Sequence, residues 1–73
     1  KDYKAAIAAL QVVVERYHDS PRVPEALLTI AASQIELNDK KSARSTLNRI
    51  IKDYPDTEAA KLAKERLPST ALR

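Results

Sequence analysis

One segment of this chain occurs twice, and this repeat limits what the chain can fold into. A shift of 37 residues brings Lys4 onto Lys41 and lays residues 4–20 over residues 41–57. Identical or conservatively exchanged pairs include Lys4/Lys41, Ala6/Ala43, Leu10/Leu47, Val13/Ile50, Val14/Ile51, Tyr17/Tyr54 and Asp19/Asp56. The apolar pairs recur at the spacing of one face of an α-helix, and chance identity would not select one face. The segment is therefore a structural repeat.

The repeat and its flanking segments predict an all-α fold, a solenoid of antiparallel helical hairpins with about four helices. We expect helices at about Asp2–Tyr17, Pro24–Leu37, Lys40–Tyr54 and Glu58–Leu67. Both Pro21 and Pro24 suit the start of the second helix, because a missing N–H costs least in the first turn. The chain then divides into a half repeat (1–20), a full repeat (21–55), a trailing helix (57–67) and a frayed tail (68–73) that starts at Pro68.

The turns between these helices must form without glycine, which the chain lacks. Asn38 tolerates the left-handed conformation that usually calls for glycine, and Asp39 can cap the third helix. Either Asp56 or Thr57 can cap the fourth helix. The segments "HDS" (18–20) and "PDT" (55–57) are therefore expected to be joints between stacked units.

The periodicity also predicts which residues face the core. The inward-facing residues are expected to be Ala6, Leu10, Val13, Val14 and Tyr17 on the first helix, Ala43, Leu47, Ile50, Ile51 and Tyr54 on the third, and Ala60, Ala63 and Leu67 on the fourth.

The second helix differs from the others because it is apolar on two sides. Leu27, Ile30 and Ala31 fall on one side of the helix. Leu28, Ala32 and Ile35 form a second apolar stripe on another side. Such a helix is packed from both sides, or it offers one side to a ligand. The candidate protein-binding residues on the second side are Glu25, Leu28, Thr29, Ala32, Ile35 and Glu36. The alternative is that the apolar members of this set pack on the first helix as core.

Charge and composition argue against several other kinds of site. The net charge is +3, from 13 basic and 10 acidic residues that are interspersed, so no nucleic-acid footprint is expected. The chain has no cysteine and one histidine, His18, so we expect no metal site and no cofactor. No apolar run approaches the eighteen or so residues that a membrane span needs.

Enzymatic activity is not expected either. It would need a nucleophile beside a base, or paired carboxylates in a cleft. The nearest group of acids is Asp53, Asp56 and Glu58, and capping of the joint explains them. A helix-turn-helix DNA reader is disfavoured because the third helix buries one face and its basic residues are diluted by serine and asparagine.

The helical hairpin with small residues at its contacts resembles the tetratricopeptide (TPR) repeat. Leu27, Ile30 and Ala31 correspond to the first helix of the family's pattern, and Ala43, Leu47 and Ile50 to the second. Pro55 corresponds to the closing proline, and Tyr3 and Ala6 to the family's Y-x-x-A in the upstream copy. This resemblance implies a protein-interaction module whose inner helices line a groove for a peptide or helix.

The segments "DYKAAIAALQVVVERYHDSP" (2–21) and "ALLTIAASQIELNDKKSARSTLNRIIKDYPDTEAAKLAKERL" (26–67) are similar to the C-terminal TPR region of the YbgF/CpoB family of Tol-Pal system proteins. The resemblance implies a periplasmic scaffold that binds TolA and coordinates envelope constriction with peptidoglycan synthesis in cell division. We expect any signal peptide to lie upstream of residue 1.

Two alternatives remain open. Outer-membrane assembly lipoproteins share the tyrosine-proline joint, so the module could serve another envelope complex. The first helix has no preceding hairpin partner here, and part of its surface, including Ile7 and Val12, could remain uncovered and mediate self-association into a homo-oligomer.

Overall fold

A computed structural model of the chain describes residues 2–71, with side chains described for residues 2–67. The described residues form four α-helices of 14 residues each and no strand. The helices are α1 (Tyr3–Arg16), α2 (Val23–Glu36), α3 (Lys40–Asp53) and α4 (Glu58–Ala71). The predicted all-α fold is confirmed.

Short polar residues cap three of the helices, as their sequence positions suggest. Asp39 accepts a hydrogen bond from the Ser42 N–H at 3.2 Å, which confirms its predicted capping role. Thr57, rather than Asp56, caps α4 by accepting from the Ala60 N–H at 3.1 Å. Asp2 lies just outside α1 and caps it in the same manner, accepting from the Ala5 N–H at 3.0 Å.

The turns also follow the residues that the sequence provides for them. Asn38 has φ of 64°, the left-handed conformation predicted for it. α2 starts at Val23 with Pro24 in its first turn, where the missing N–H has no helical acceptor to lose. Of the two prolines that could mark this start, Pro24 is therefore the one inside the helix.

The predicted end of α4 is wrong. The helix continues past Leu67 and through Pro68 to Ala71, so the residues expected to be a frayed tail are helical up to 71, and residues 72–73 lie outside the described residues. A proline inside a helix loses its own N–H hydrogen bond and crowds the carbonyl four residues earlier, so it usually kinks or ends the helix, and this was the basis of the prediction. In α4 the helix nevertheless continues for three residues beyond Pro68.

Each helix packs against the next along the chain, and α2 also packs against α4. The fold is a thin slab with extents of 32 × 28 × 15 Å. α2 is its central element, because α2 alone contacts all three other helices in the described part of the chain. Such an arrangement of nested hairpins is typical of a stacked repeat rather than of a closed bundle.

The core matches the prediction on α3 better than on α1. Ala43, Leu47 and Ile50 of α3 are completely buried, while Ile51 and Tyr54 are half-buried at its edge. On α4, Ala60 and Ala63 are buried and Leu67 is half-buried, as expected, and Ala59 joins them.

On α1 the prediction is partly wrong, because Val14 is the only buried residue of the helix. Leu10 and Val13 are half-buried, whereas Ala6 and Tyr17, both expected to face the core, are exposed. The physical reason is that, among the described helices, α1 packs only against α2, while α3 is covered by α2 and α4. Periodicity identifies an apolar face but does not say whether another helix covers it.

Among the described residues, side-chain hydrogen bonds of Thr46 and Tyr54 link different elements of the fold. The Thr46 hydroxyl lies 2.8 Å from Gln34 Oε1 and 2.9 Å from the Ser42 carbonyl oxygen. A hydroxyl has one proton, so it donates either to Gln34, which links α3 to α2, or to Ser42 within α3. The Tyr54 hydroxyl donates to the His18 carbonyl at 3.3 Å. The second contact ties the end of α3 to the joint between α1 and α2.

A candidate groove between α2 and α4

The two apolar sides of α2 have different surroundings. Leu27, Ile30 and Ala31 are buried in the core between the helices. The second stripe, Leu28, Ala32 and Ile35, is only half-buried. The two-sided pattern in the sequence therefore corresponds to one packed side and one side that is partly open to solvent.

Two cavities lie between α2 and α4, and together we call them the α2–α4 groove; Leu28 lines the first of them. This surface cavity of about 300 Å³ is lined by residues of α2, α4 and the two joints: Pro21, Pro24, Glu25, Leu28, Thr57, Glu58, Ala59 and Leu62. Both joints contribute to this cavity, Pro21 from the first and Thr57 from the second. Leu28 and Leu62 supply the large apolar side chains, and Glu25 and Glu58 supply two carboxylates.

The second cavity lies along the second half of α2. It is a shallower cavity of about 380 Å³ and is lined by Ala32, Ile35, Glu36 and Arg66. Ala32 is small, so it leaves room between the helices, while Ile35 supplies apolar surface. Glu36 and Arg66 place one charge of each sign at this end.

Five of the six predicted binding residues therefore line one or the other of these two cavities. The exception is Thr29, which is exposed, lines neither cavity, and donates its hydroxyl to the Glu25 carbonyl at 3.1 Å. Besides α2 itself, the elements that line the two cavities are α4 and the joints, so these residues lie beside α4. Leu28 does pack against the edge of the core, so it supports the fold as well as the groove.

The contribution of α4 to the groove was not predicted. Glu58, Leu62 and Arg66 recur every four residues and so share one side of α4, which faces α2. This spacing was visible in the sequence. The sequence prediction for this helix used only the stripe of Ala60 and Ala63, which lies on its other side.

The charge of the groove is unequal. Its lining includes three carboxylates, those of Glu25, Glu36 and Glu58, and one guanidinium, that of Arg66. An apolar floor with an acidic margin favours a ligand that offers apolar side chains flanked by basic ones.

Other kinds of site are not evident in the part of the chain that the structure describes. No group of three or more histidine, cysteine, aspartate or glutamate residues lies close enough to hold a metal ion within residues 2–71. His18 lies in the first joint with its Nε2 3.6 Å from Asp19 Oδ1, and both side chains are exposed. Among the described helices, none has the length and apolar character needed to cross a membrane.

Comparison with known proteins identifies the family. No curated protein and no solved structure matches the chain. A family model described as "Tetratricopeptide repeat" matches residues 1–67, which includes α1, α2, α3 and most of α4. The resemblance in the sequence and the stacked hairpins of the structure agree with this match, and the chain belongs to the tetratricopeptide repeat family.

Proposed function

We propose that the chain is a non-catalytic protein-interaction module and that the groove between α2 and α4 is its binding surface. Tetratricopeptide repeats are typically interaction modules, which supports the class of function. The observation that supports this choice of surface is the half-buried stripe on α2: Leu28 shares one cavity with Leu62, and Ala32 and Ile35 share the other with Arg66.

The chemistry of the groove suggests the kind of ligand. The cavity at Leu28 accepts an apolar side chain, and the carboxylates of Glu25 and Glu58 at its margin attract a basic one. A helix or extended segment with alternating apolar and basic residues fits this surface. Because the charges are exposed, they contribute more to orientation and to the association rate than to affinity.

A peptide titration followed by NMR tests this surface. The probe is a short amphipathic peptide of leucine and lysine, with a leucine and glutamate peptide of the same length as control. We expect the basic peptide to shift the amide signals of α2 and α4 selectively, and Leu28→Asp or Ile35→Asp to weaken binding at least about tenfold, a loss of about 1.4 kcal/mol. Leu37→Asp is the matched control, since Leu37 is exposed at the end of α2 and lines neither cavity.

Circular dichroism of the same variants separates a binding role from a structural one. The proposal predicts that Ile35→Asp keeps its helicity while losing the peptide. Equal binding of the acidic and basic peptides, or loss of helicity in both groove variants, would contradict it.

For the cellular role we propose a periplasmic scaffold of the Tol-Pal system that binds TolA and coordinates envelope constriction with peptidoglycan synthesis. The support is the sequence resemblance to the YbgF/CpoB family through the tyrosine-proline joint and the α4 segment from Ala59 to Leu67. Affinity capture with purified TolA, and separately with outer-membrane assembly factors, distinguishes this role from that of another envelope complex. Binding of TolA that Ile35→Asp abolishes is the expected result, and retention only by the assembly factors would favour the alternative.

A further inference from the structure

The half-buried stripe on α2 has the spacing by which one helix packs against another. Leu28, Ala32 and Ile35 follow one another after four and then three residues, so they lie along one side of α2. Alternating steps of three and four residues form the contact seam of a coiled coil. Leu28 and Ile35 are two turns apart, or about 10.5 Å along the helix axis. A ligand that fills both cavities must offer two apolar side chains at about this separation.

The two cavities follow one another along both helices that line them. On α2, Leu28 of the first cavity precedes Ala32 of the second by about one turn. On α4, Leu62 precedes Arg66 by about one turn as well, so the two helices run in the same direction beside the groove. The α2 lining extends over residues 25–36, about 16 Å at 1.5 Å per residue. This length corresponds to about three turns of a ligand helix.

The separation of the two apolar side chains distinguishes a helical ligand from an extended one. Alternate residues of a strand face the same side, so its side chains on one face lie about 6.6 Å or about 13.2 Å apart. Neither value matches the separation of Leu28 and Ile35. Residues seven apart on a helix share one side and are about 10.5 Å apart, which does match. The groove therefore fits a helix better than an extended segment.

The charges of the two cavities differ. Among the described residues, the first cavity has the carboxylates of Glu25 and Glu58 and no basic group, whereas the second has Glu36 and Arg66. Within residues 2–67, none of these four side chains is in an ion pair. A basic group of a ligand is therefore attracted to the first cavity, and it gains little at the second because Arg66 repels it.

We propose that the ligand of the α2–α4 groove is an amphipathic helix of about three turns that binds in one orientation. Two apolar residues of this helix, seven apart, enter the two cavities, and a basic residue beside the first of them lies at Glu25 and Glu58. This inference rests on the proposed function, because it names the ligand of the same groove. A helix this short is marginal in water, so a free peptide of this kind becomes helical only on binding.

Three peptides of about 14 residues test the helical ligand by NMR titration. The first has two leucines seven residues apart and two lysines beside one of them. The second has the same composition with the leucines five residues apart, about 140° around a helix from each other. The third has proline in place of the alanine midway between the leucines of the first. We expect the first peptide to shift the amide signals of α2 and α4, and the other two to bind at least about tenfold more weakly, because each loses a leucine contact or the helix itself.

The possible failures of this titration have different meanings. Equal binding of the proline peptide and the first peptide would overturn the helical ligand and leave the interaction module intact. If no peptide shifts the signals of α2 and α4, the proposed function fails with it.

A spin label on the first peptide tests the orientation. The chain has no cysteine, so a thiol-reactive nitroxide stays on a cysteine at one end of the peptide. The label at the lysine end should broaden the amide signals at the starts of α2 and α4, and the label at the other end those near Ile35 and Arg66. Equal broadening of both regions by each label would overturn the single orientation.

A charge reversal on α4 tests why the ligand has one orientation. Arg66→Glu gives the second cavity two carboxylates, like the first, and should remove the difference between the two labels. Lys64→Glu is the matched control, since Lys64 is exposed on the same helix and lines neither cavity, and it should preserve the difference. An equal effect of the two variants would overturn the role of the cavity charges. Circular dichroism should show the same helicity in both variants.

Discussion

α1 and α3 have nearly the same apolar ridge, yet they hold very different positions in the fold. Leu47 of α3 is 0% exposed, while its counterpart Leu10 is only half-buried. Tyr54 is half-buried and its hydroxyl reaches the His18 carbonyl, while its counterpart Tyr17 is 61% exposed. The difference teaches that, in a stacked repeat, the number of neighbouring helices decides how much a residue contributes to stability.

The largest expected effect comes from truncating the matched leucines. Leu47→Ala removes a completely buried side chain and leaves a cavity in the core. The lost burial and the cavity together should lower the free energy of unfolding by about 3 kcal/mol. Leu10→Ala should cost only about 1 kcal/mol, since solvent already reaches part of the side chain. Urea denaturation monitored by circular dichroism measures both values.

Equal losses of unfolding free energy in the two leucine variants would contradict the claim that α3 is more stabilising than α1. The experiment is best done at protein concentrations of about 10 μM or below, so that any association through α1 does not add to the apparent stability of one variant.

A smaller difference is expected for the matched tyrosines. Tyr54→Phe removes a hydrogen bond that is long for two oxygens at 3.3 Å, so the free energy of unfolding should fall by about 0.5 kcal/mol or less. Tyr17→Phe should change it by about zero, because the side chain is mostly in water. Paired thermal melts are sensitive enough to order the two. A larger loss for Tyr17→Phe would show that the first joint is packed more tightly than its exposure indicates.

Local features of the fold could be predicted from the sequence because they depend on a few adjacent residues. Asn38 adopts its left-handed conformation and Asp39 caps α3 for reasons that lie within one turn of the chain. The helix boundaries depend on the same local chemistry, and the starts of α3 and α4 are at the predicted residues. The exception is Pro68, where a proline near the end of a helix is tolerated instead of ending it.

Features that depend on which helix lies next to which were predicted less well. The inward face of α3 was predicted correctly, because α3 has neighbours on two sides. The same reasoning placed Ala6 and Tyr17 in the core, but the part of α1 that reaches the core is the side of Val14. The α2 side of the groove could be predicted from the second stripe on that helix. Leu62 and Arg66 on the α4 side could not, since only the packing of α2 against α4 brings them to the same groove.

Native-state hydrogen exchange on the 73-residue chain, at low protein concentration, tests most directly whether neighbouring helices set the stability of each repeat unit. It reports the opening free energy of each helix separately in one experiment. Because α2 and α3 are packed on more than one side, we predict that their central amides exchange most slowly and that those of α1 exchange measurably faster than those of α3. Amide protection in α1 equal to or greater than that in α3 would contradict this account.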